Sequence, residues 1–345
     1  VSAGPGGGRL SSLGRRVTYL LDRAVRLNPA NVWRIAGAAR SVSRKPRALI
    51  VGDMLWSSVR HEVAFQDYLD WDFATLTHAE RVTYMTHPKS NHLVMRLNDA
   101  GARRGFSDKI AFNRRFAAFL GREWLDVREA SVDDLRAFVE RHGVVMTKLH
   151  DSLSGLGIRK RAAADITDWA AFHAELLDNR QFLVEEFITQ HPHMARLCPT
   201  SVNSLRIITY FDGTTVHVLA RVLKIGNGAE IDNFSNGGMY TMVGADGTAL
   251  YPAFDTTGTA YAVHPLSGVP IVGFSVPLFD AVLSLVDQMA RTEPLVPYVG
   301  WDIAIGPDRP IVIEGNPNSG VYQAKPSVSG VREGLLPVYR AAIGF

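Results

Sequence analysis

Gly300-Trp301-Asp302-Ile303-Ala304-Ile305, followed after a short turn by Ile311-Val312-Ile313-Glu314-Gly315-Asn316, is the stretch whose reading decides the fold. Two apolar runs flank the turn at Gly306–Arg309, the pattern of an antiparallel hairpin. Glu314 and Asn316 are two residues apart and so project from the same sheet face, where Asp302 joins them if the strands pair. An acid inside the run Ile-Val-Ile-Glu costs desolvation unless something compensates it. Three hard oxygen donors on one face, two of them anionic, suit Mg²⁺ held together with phosphates. The plainer alternative is a polar hairpin face with no ion.

Working outward, the second half of the chain reads as strands at Val144–Lys148, Gln181–Phe187, Ser204–Phe211 and Thr215–Ile225, with Asp212-Gly213 as a hairpin turn. Helices are expected at 107–121, at 131–142 behind a Ser131 cap, and at 276–291. Together these give an α+β fold dominated by antiparallel hairpins. Arg206 sits inside the apolar strand Ser204-Leu205-Arg206-Ile207-Ile208-Thr209, where a guanidinium needs a buried anionic partner. Arg221 and Lys224 alternate less cleanly along the next strand. Met146-Thr147-Lys148 runs into a Ser/Gly turn ending at Gly157, which can place an ammonium and backbone N–H groups around phosphate oxygens. No Gly-Lys-Ser/Thr closes that turn, so it is not a Walker A loop, and an ordinary hairpin reads the same way. Phe182-Leu183-Val184-Glu185-Glu186-Phe187-Ile188 is either a hinge against which a purine base bonds or a strand with solvent-facing acids. His264 and Tyr240 read as pocket residues or, more simply, as local packing.

The first third is less informative. Arg47-Ala48-Leu49-Ile50-Val51-Gly52-Asp53 is expected to be a short buried strand. His61, His78, His87 and His92 share no period and read as locally bonded histidines rather than metal ligands. Leu10, Leu13, Val17, Leu20, Leu21, Ala24 and Leu27 recur at helical spacing among arginines, and a second helix is expected from Asn31 to about Val42. This basic leader reads as a hairpin packed on the main domain or as weak contact with an anionic membrane surface. The opening VSAGPGGGRL lacks the apolar core of a secretory signal. Residues 1–47 hold ten Arg/Lys against Asp22 alone, so the rest of the chain is acidic, with 27 basic and 33 acidic groups. The overall charge of +3 is therefore no sign of nucleic-acid binding by the main body. No apolar run is long enough to span a bilayer. The single cysteine, Cys198, excludes an internal disulfide and fits a cytoplasmic setting.

The order Lys-Leu-x₅-Gly-x-Gly from Lys148, Val-Glu-Glu-Phe-Ile from Val184, Leu-Arg-Ile around Arg206, Asn-x-x-x-Gly-Gly from Asn233, Gly-x-Asp-Ile from Gly300 and Ile-Glu-x-Asn from Ile313 resembles the ATP-grasp superfamily. The core from about 145 to 320 is similar to the glutamate ligases that modify ribosomal protein tails. A longer stretch, about 48–326, resembles the sugar-transfer-associated ATP-grasp group and includes Asp108-Lys109-Ile110-x-Phe112-Asn113. The resemblance implies two α+β lobes with ATP between antiparallel sheets. It divides the chain into a leader (1–46), an N-terminal α/β domain (47–105), a lid and linker (106–188) and a catalytic subdomain (189–345). By position it implies ATP contacts from Lys109, Lys148, Ser152, Gly155, Gly157, Glu185, Glu186 and Ile188. It further implies reacting-group contacts from Arg206, Arg221 and Asn233, and Mg²⁺ ligands Asp302, Glu314 and Asn316. The implied enzyme is an ADP-forming carboxylate–amine ligase working through an acyl phosphate on small-molecule, peptide or amino-sugar substrates. A phosphotransferase or a non-catalytic nucleotide-binding protein on the same scaffold is the alternative.

Overall fold

The computed structural model describes residues 28–151, 157–228, 234 and 237–344. The expected helix at Leu10–Leu27 and the site candidates Ser152, Gly155 and Asn233 lie outside the described residues. The chain divides into two compact units, residues up to Lys89 with Lys325–Leu336, and Ser90–Ala324 with Pro337–Phe345.

The first unit is helical. Helix α1 (Pro29–Ser43) begins two residues before the expected Asn31: Pro29 opens the first turn and the Asn28 side chain accepts the Asn31 N–H at 3.2 Å. Helix α2 (Arg47–His61) occupies the place of the expected strand. A four-residue apolar run, Ala48–Val51, is ambiguous in period, and only the longer window shows the buried spacing Ile50, Met54, Ser57, Ser58 and His61. Residues 47–105 contain helices and no strand among those described, so the expected α/β character is absent there. Asp53 on α2 takes a two-pronged bond from Arg81, both distances 2.7 Å, and a 2.6 Å bond from the Tyr68 hydroxyl. His87 bonds Asp67 at 2.5 Å, a local partner of the kind its isolation in sequence suggests.

The second unit holds two antiparallel sheets, as the α+β reading requires. The smaller has the order β1-β4-β2-β3, from β1 (Trp124–Asp126), β2 (Val144–Lys148), β3 (Arg159–Ala162) and β4 (Leu183–Glu186). Between the units' boundary and this sheet, helix α3 (Lys109–Arg115) starts where the Asp108 carboxylate accepts the Ile110 and Ala111 N–H groups. It is shorter than the expected 107–121. Helices α4 (Val132–His142) and α5 (Trp169–Asp178) cover one face of the small sheet, packing Leu135, Phe138, Val139, Phe172 and Leu176 on Val145 and Val184. Ser131 and Asp134 cap α4 reciprocally.

The larger sheet runs β11-β10-β5-β6-β7-β8-β9. Its strands are β5 (Ser204–Phe211), β6 (Val216–Ile225), β7 (Met239–Met242), β8 (Ala253–Phe254), β9 (Ala260–Tyr261), β10 (Tyr298–Ile305) and β11 (Pro310–Asn316). The hairpin that decided the fold is β10–β11, and Asp302 lies directly opposite Glu314. Helix α6 (Phe279–Thr292) supplies Val282, Val286 and Met289 to a core shared with Leu205, Ile207, Leu223, Trp301 and Ile303. Burying these aliphatic side chains contributes about 1.5–3 kcal/mol each. Near β11 the aromatic rings of Phe106 and Phe112 approach so closely that a Cβ on Gly315 would lie 2.8–2.9 Å from them. The glycine between Glu314 and Asn316 is thus a packing requirement.

Candidate functional site

Alternation assigns the faces of the large sheet. Leu205 and Ile207 point into the α6 core, so Arg206 points the other way. The register sets Arg206 against Asp302 and Asp302 against Glu314, a row of cation, anion and anion across three strands. The Arg206 fork grips Asp302, Nε donating to Oδ1 at 2.5 Å and Nη2 to Oδ2 at 2.6 Å. Lys224 on β6 lies 3.6 Å from the same carboxylate. Arg206 also donates to the Ser319 hydroxyl at 3.4 Å and lies 5.6 Å from the Tyr322 ring centroid. A Cβ on Gly300 would collide with Ser319 and come 3.0 Å from the Arg206 side chain, so glycine keeps this corner open. Burial alone would raise the Asp302 pKa; Arg206 and Lys224 outweigh it and hold the carboxyl ionised below its ordinary range.

Glu314 stands at the outer end of the row. Asn316 donates to its Oε1 at 3.2 Å, which confirms that the two side chains share a face. Lys109, at the start of α3, is within electrostatic reach of Glu314, Lys148, Glu185 and Asp151. Its pKa is lowered, first by burial, with Lys148 adding to the effect and Glu314 opposing it.

A second buried carboxylate organises the small sheet. Glu185 accepts from Arg122 at 2.6 Å, from Lys148 at 2.5 Å and from Asn113 at 3.0 Å. Burial pushes its pKa up, but Arg122 and then Lys148 prevail and hold it well below the usual carboxylate range. Arg122 also donates to the backbone carbonyls of Val312 and, at 3.3 Å, Ile313, which ties the small sheet to β11. The Glu186 N–H is bonded to the Glu123 carbonyl at 3.0 Å, which leaves the following segment through Ile188 to offer backbone groups.

Beside these clusters lies a cleft of about 390 Å³. Met146, Lys148, Ile158, Phe187, Ile188 and Ile313 are among its walls, and Glu185 and Glu186 reach its edge. Apolar walls with a few polar groups are usual for a small-molecule cleft. Gly157 has φ +73, and a Cβ there would lie 2.6 Å from Leu149, so the turn after Lys148 needs glycine at this point.

Lys148, Glu185, Glu186 and Ile188 are therefore brought together at the cleft, Lys109 lies within electrostatic reach of Lys148, Glu185 and Glu314, and Arg206 meets Asp302. Arg221 is not. It pairs with Ile207, whose side chain is in the α6 core, and so lies on the face opposite Arg206. Lys224, three residues on, is the β6 cation that reaches Asp302. The alternation around 221–224 was ambiguous because the strand is apolar on both faces. His264 bonds the Gly226 carbonyl at 2.8 Å, a local packing role. Sequence reasoning missed Arg122 as a site residue, because it stands in a short loop, Gly121-Arg122-Glu123, where no strand or helix period assigns its side chain to a face. The available signal was indirect: Glu185 inside an apolar strand demands a buried cation.

Among the described residues, no three or more His, Cys, Asp or Glu are arranged to hold a metal ion. The mixed set remains. Glu314 and Asn316 offer hard oxygen donors side by side, and Asp302, both oxygens engaged by Arg206, retains only its remaining lone pairs. That donor set fits a small divalent cation shared with phosphates.

Residues 169–334 match the family model described as sugar-transfer associated ATP-grasp. No curated protein sequence matches the chain. Among solved structures, the ATP-grasp ligase PsnB complexed with a minimal precursor is 15% identical, covering 81% of this chain and 71% of that one at TM-score 0.42. D-alanyl-alanine synthetase A from Vibrio cholerae is 13% identical, covering 66% of this chain and 58% of that one at TM-score 0.38. D-alanine–D-alanine ligase from Bacillus anthracis is 14% identical, covering 74% and 69% at TM-score 0.38. Over residues 169–334, a little under half of its length, the chain is similar to the sugar-transfer-associated ATP-grasp family.

Proposed function

We propose that the protein is an ATP-dependent, ADP-forming ligase that joins a carboxylate to an amine through an acyl phosphate. The observation that carries this reading is the convergence of Lys109, Lys148 and Glu314 beside an apolar cleft, next to the buried row Arg206–Asp302. The cleft suits a purine base, with Met146 and Ile313 among its walls and backbone groups near Ile188 at its edge. Glu314, Asn316 and the remaining lone pairs of Asp302 would hold Mg²⁺, which would supply charge neutralisation to the phosphates.

The chemistry follows from charge. A carboxylate oxygen attacking the γ-phosphorus of ATP meets an electrophile that is already anionic, so cations must lower the repulsion. Lys109 and Lys148 serve the phosphates. Arg206 has part of its donor fork uncommitted among the described residues and meets the acid substrate and the transferred phosphoryl group. The new P–O bond forms as the bond to the bridging oxygen of ADP breaks. The amine nitrogen then attacks the acyl carbon, loses a proton, and inorganic phosphate leaves with the electron pair of its C–O bond. Lys224 assists by sharing the charge of Asp302, which frees Arg206 to turn towards substrate.

Hydroxylamine tests the reading, because it intercepts an acyl phosphate as a hydroxamate. Candidate acids are incubated with ATP and Mg²⁺ in hydroxylamine buffer without amine, and ADP, phosphate and hydroxamate are measured together. Hydroxamate in step with ADP is the expected result. A stable phosphorylated product without hydroxamate moves the assignment to a phosphotransferase.

A further inference from the structure

Helix α2 is apolar on its outward face as well as its inward one. Its buried positions are Ile50, Met54, Ser57, Ser58 and His61. Its outward line at i, i+3, i+7 and i+10 reads Leu49, Gly52, Trp56 and Val59, with Leu55 beside it. Leu49 is 64% exposed, Trp56 58%, Val59 48% and Leu55 41%. A surface helix of a globular domain ordinarily carries charged and polar residues there. An apolar stripe of this kind marks an interaction surface when it is contiguous, and these residues are neighbours along one helical face.

Exposed cations stand on the same two helices and the turn that joins them. Arg40, Arg44, Lys45, Arg47 and Arg60 are all exposed. Residues 28–61 contain six Arg/Lys against the single acid Asp53, which is already bonded by Arg81. The Arg47 guanidinium lies 5.5 Å from the ring centroid of Trp33 on α1, itself 52% exposed. Exposed Leu, Val and Trp on helices that also carry exposed Arg and Lys have the composition of an element lying in a membrane interface, its cations reaching up to lipid phosphates.

We infer that the outward face of α1–α2 rests on an anionic lipid surface. Charge selects this occupant over two others. A second copy would set the same cations against themselves, because a two-fold contact pairs a patch with itself. The leader, residues 1–27, has five Arg and one Asp, so it too would bring cations to cations. Lipid headgroups supply the missing negative charge and the acyl boundary takes the apolar side chains.

The test uses the full chain and sedimentation with vesicles of phosphatidylcholine mixed with phosphatidylserine, against phosphatidylcholine alone. The wild-type chain is expected to sediment with the mixed vesicles, less so as salt is raised. The paired change Leu49→Glu and Trp56→Glu is expected to lower the bound fraction about tenfold or more, with an unchanged melting temperature because both side chains face outward. No wild-type binding, or equal binding by the variant, overturns the inference. A wild-type dimer that the variant splits assigns the face to a second copy, and a variant that melts several degrees lower assigns it to the chain's own leader. Either result also overturns the lipid assignment.

Discussion

Each sheet of the second unit buries one carboxylate between an arginine and a lysine: Glu185 between Arg122 and Lys148, Asp302 between Arg206 and Lys224. The two clusters look alike but differ in where the arginine's other donors go. Arg122 spends them on the Val312 and Ile313 carbonyls and is closed off by Asn113. Arg206 has only a long bond to Ser319 and a tyrosine ring beside it. Arg122 buries an Nε that has no partner among the described residues, but both of its terminal nitrogens are spent on its own fold, and a guanidinium so engaged holds the fold together. One that is partly satisfied is available to an incoming anion, and its carboxylate keeps it aimed in the meantime.

Removing the fastening should therefore cost stability first. In Arg122→Met, Glu185 keeps Lys148 and Asn113 but loses its 2.6 Å bond to the guanidinium, and the Val312 and Ile313 carbonyls lose a donor. We expect a loss of about 3–5 kcal/mol in urea unfolding, the usual penalty for breaking a buried ion pair. A loss below about 1 kcal/mol would mean that Lys148 and Asn113 suffice, and the contrast between the clusters would fail.

Arg206→Lys should do the opposite, leaving the fold nearly intact while hydroxamate formation falls about 100-fold or more. Lysine preserves the charge opposite Asp302 but not the planar fork. Unchanged turnover in this variant would return Arg206 to a structural role equal to that of Arg122.

Acid should expose the clusters together. Both carboxyls are held below their unfolded values, near 4 for Asp and Glu. The unfolded chain thus binds more protons as pH falls towards and below that value, so the pairs' contribution is present above it and lost on acidification. Arg122→Met should flatten the acid side of the stability profile measured by urea midpoints between neutral and acidic pH. A parallel profile would show that Glu185 is not the group responsible.

Lys148 is the shared case, since it serves Glu185 and also lines the cleft. Lys148→Met should weaken a non-hydrolysable ATP analogue by about tenfold, or roughly 1.4 kcal/mol, in calorimetric titration. A change within twofold would confine Lys148 to the Glu185 cluster.

These contrasts follow the limits of what the residues reveal. β10–β11 and β5 were legible as apolar runs bounded by turns and β2 by alternation, and once β10 and β11 pair, two-residue periodicity puts Glu314 and Asn316 on one face beside Asp302. Asp302 as the partner of Arg206 was half legible: the guanidinium's need for an anion could be read, its identity could not, because it lies ninety-six positions away in sequence. Arg122 was illegible for the same reason, being a loop residue whose partners are set by tertiary packing. Residues 47–53 were misread because helix α2 carries apolar residues on both faces, Ile50 and Met54 inward and Leu49 and Trp56 outward, which hides its period.

Arg221 gives the smallest effect and the sharpest test of the face assignment. It and Arg206 were paired by sequence as two arginines for the same anions, yet they stand on opposite sides of one sheet. Arg221 opposes Ile207, burial lowers its pKa, and its Nε is buried with no hydrogen-bond partner among the described residues. A cation so placed contributes no charge to the row of Arg206, Asp302 and Glu314. Its replacement relieves an unsatisfied donor rather than removing a contact. Arg221→Gln should therefore change hydroxamate formation less than about twofold and leave stability within roughly 0.5–1 kcal/mol, with a gain as the expected sign. Turnover and urea midpoint measured on the same preparation read both. A tenfold loss of turnover with stability unchanged would mean that the Arg221 side chain reaches the reacting anions around the sheet, and the comparison would then rest on three cations rather than two.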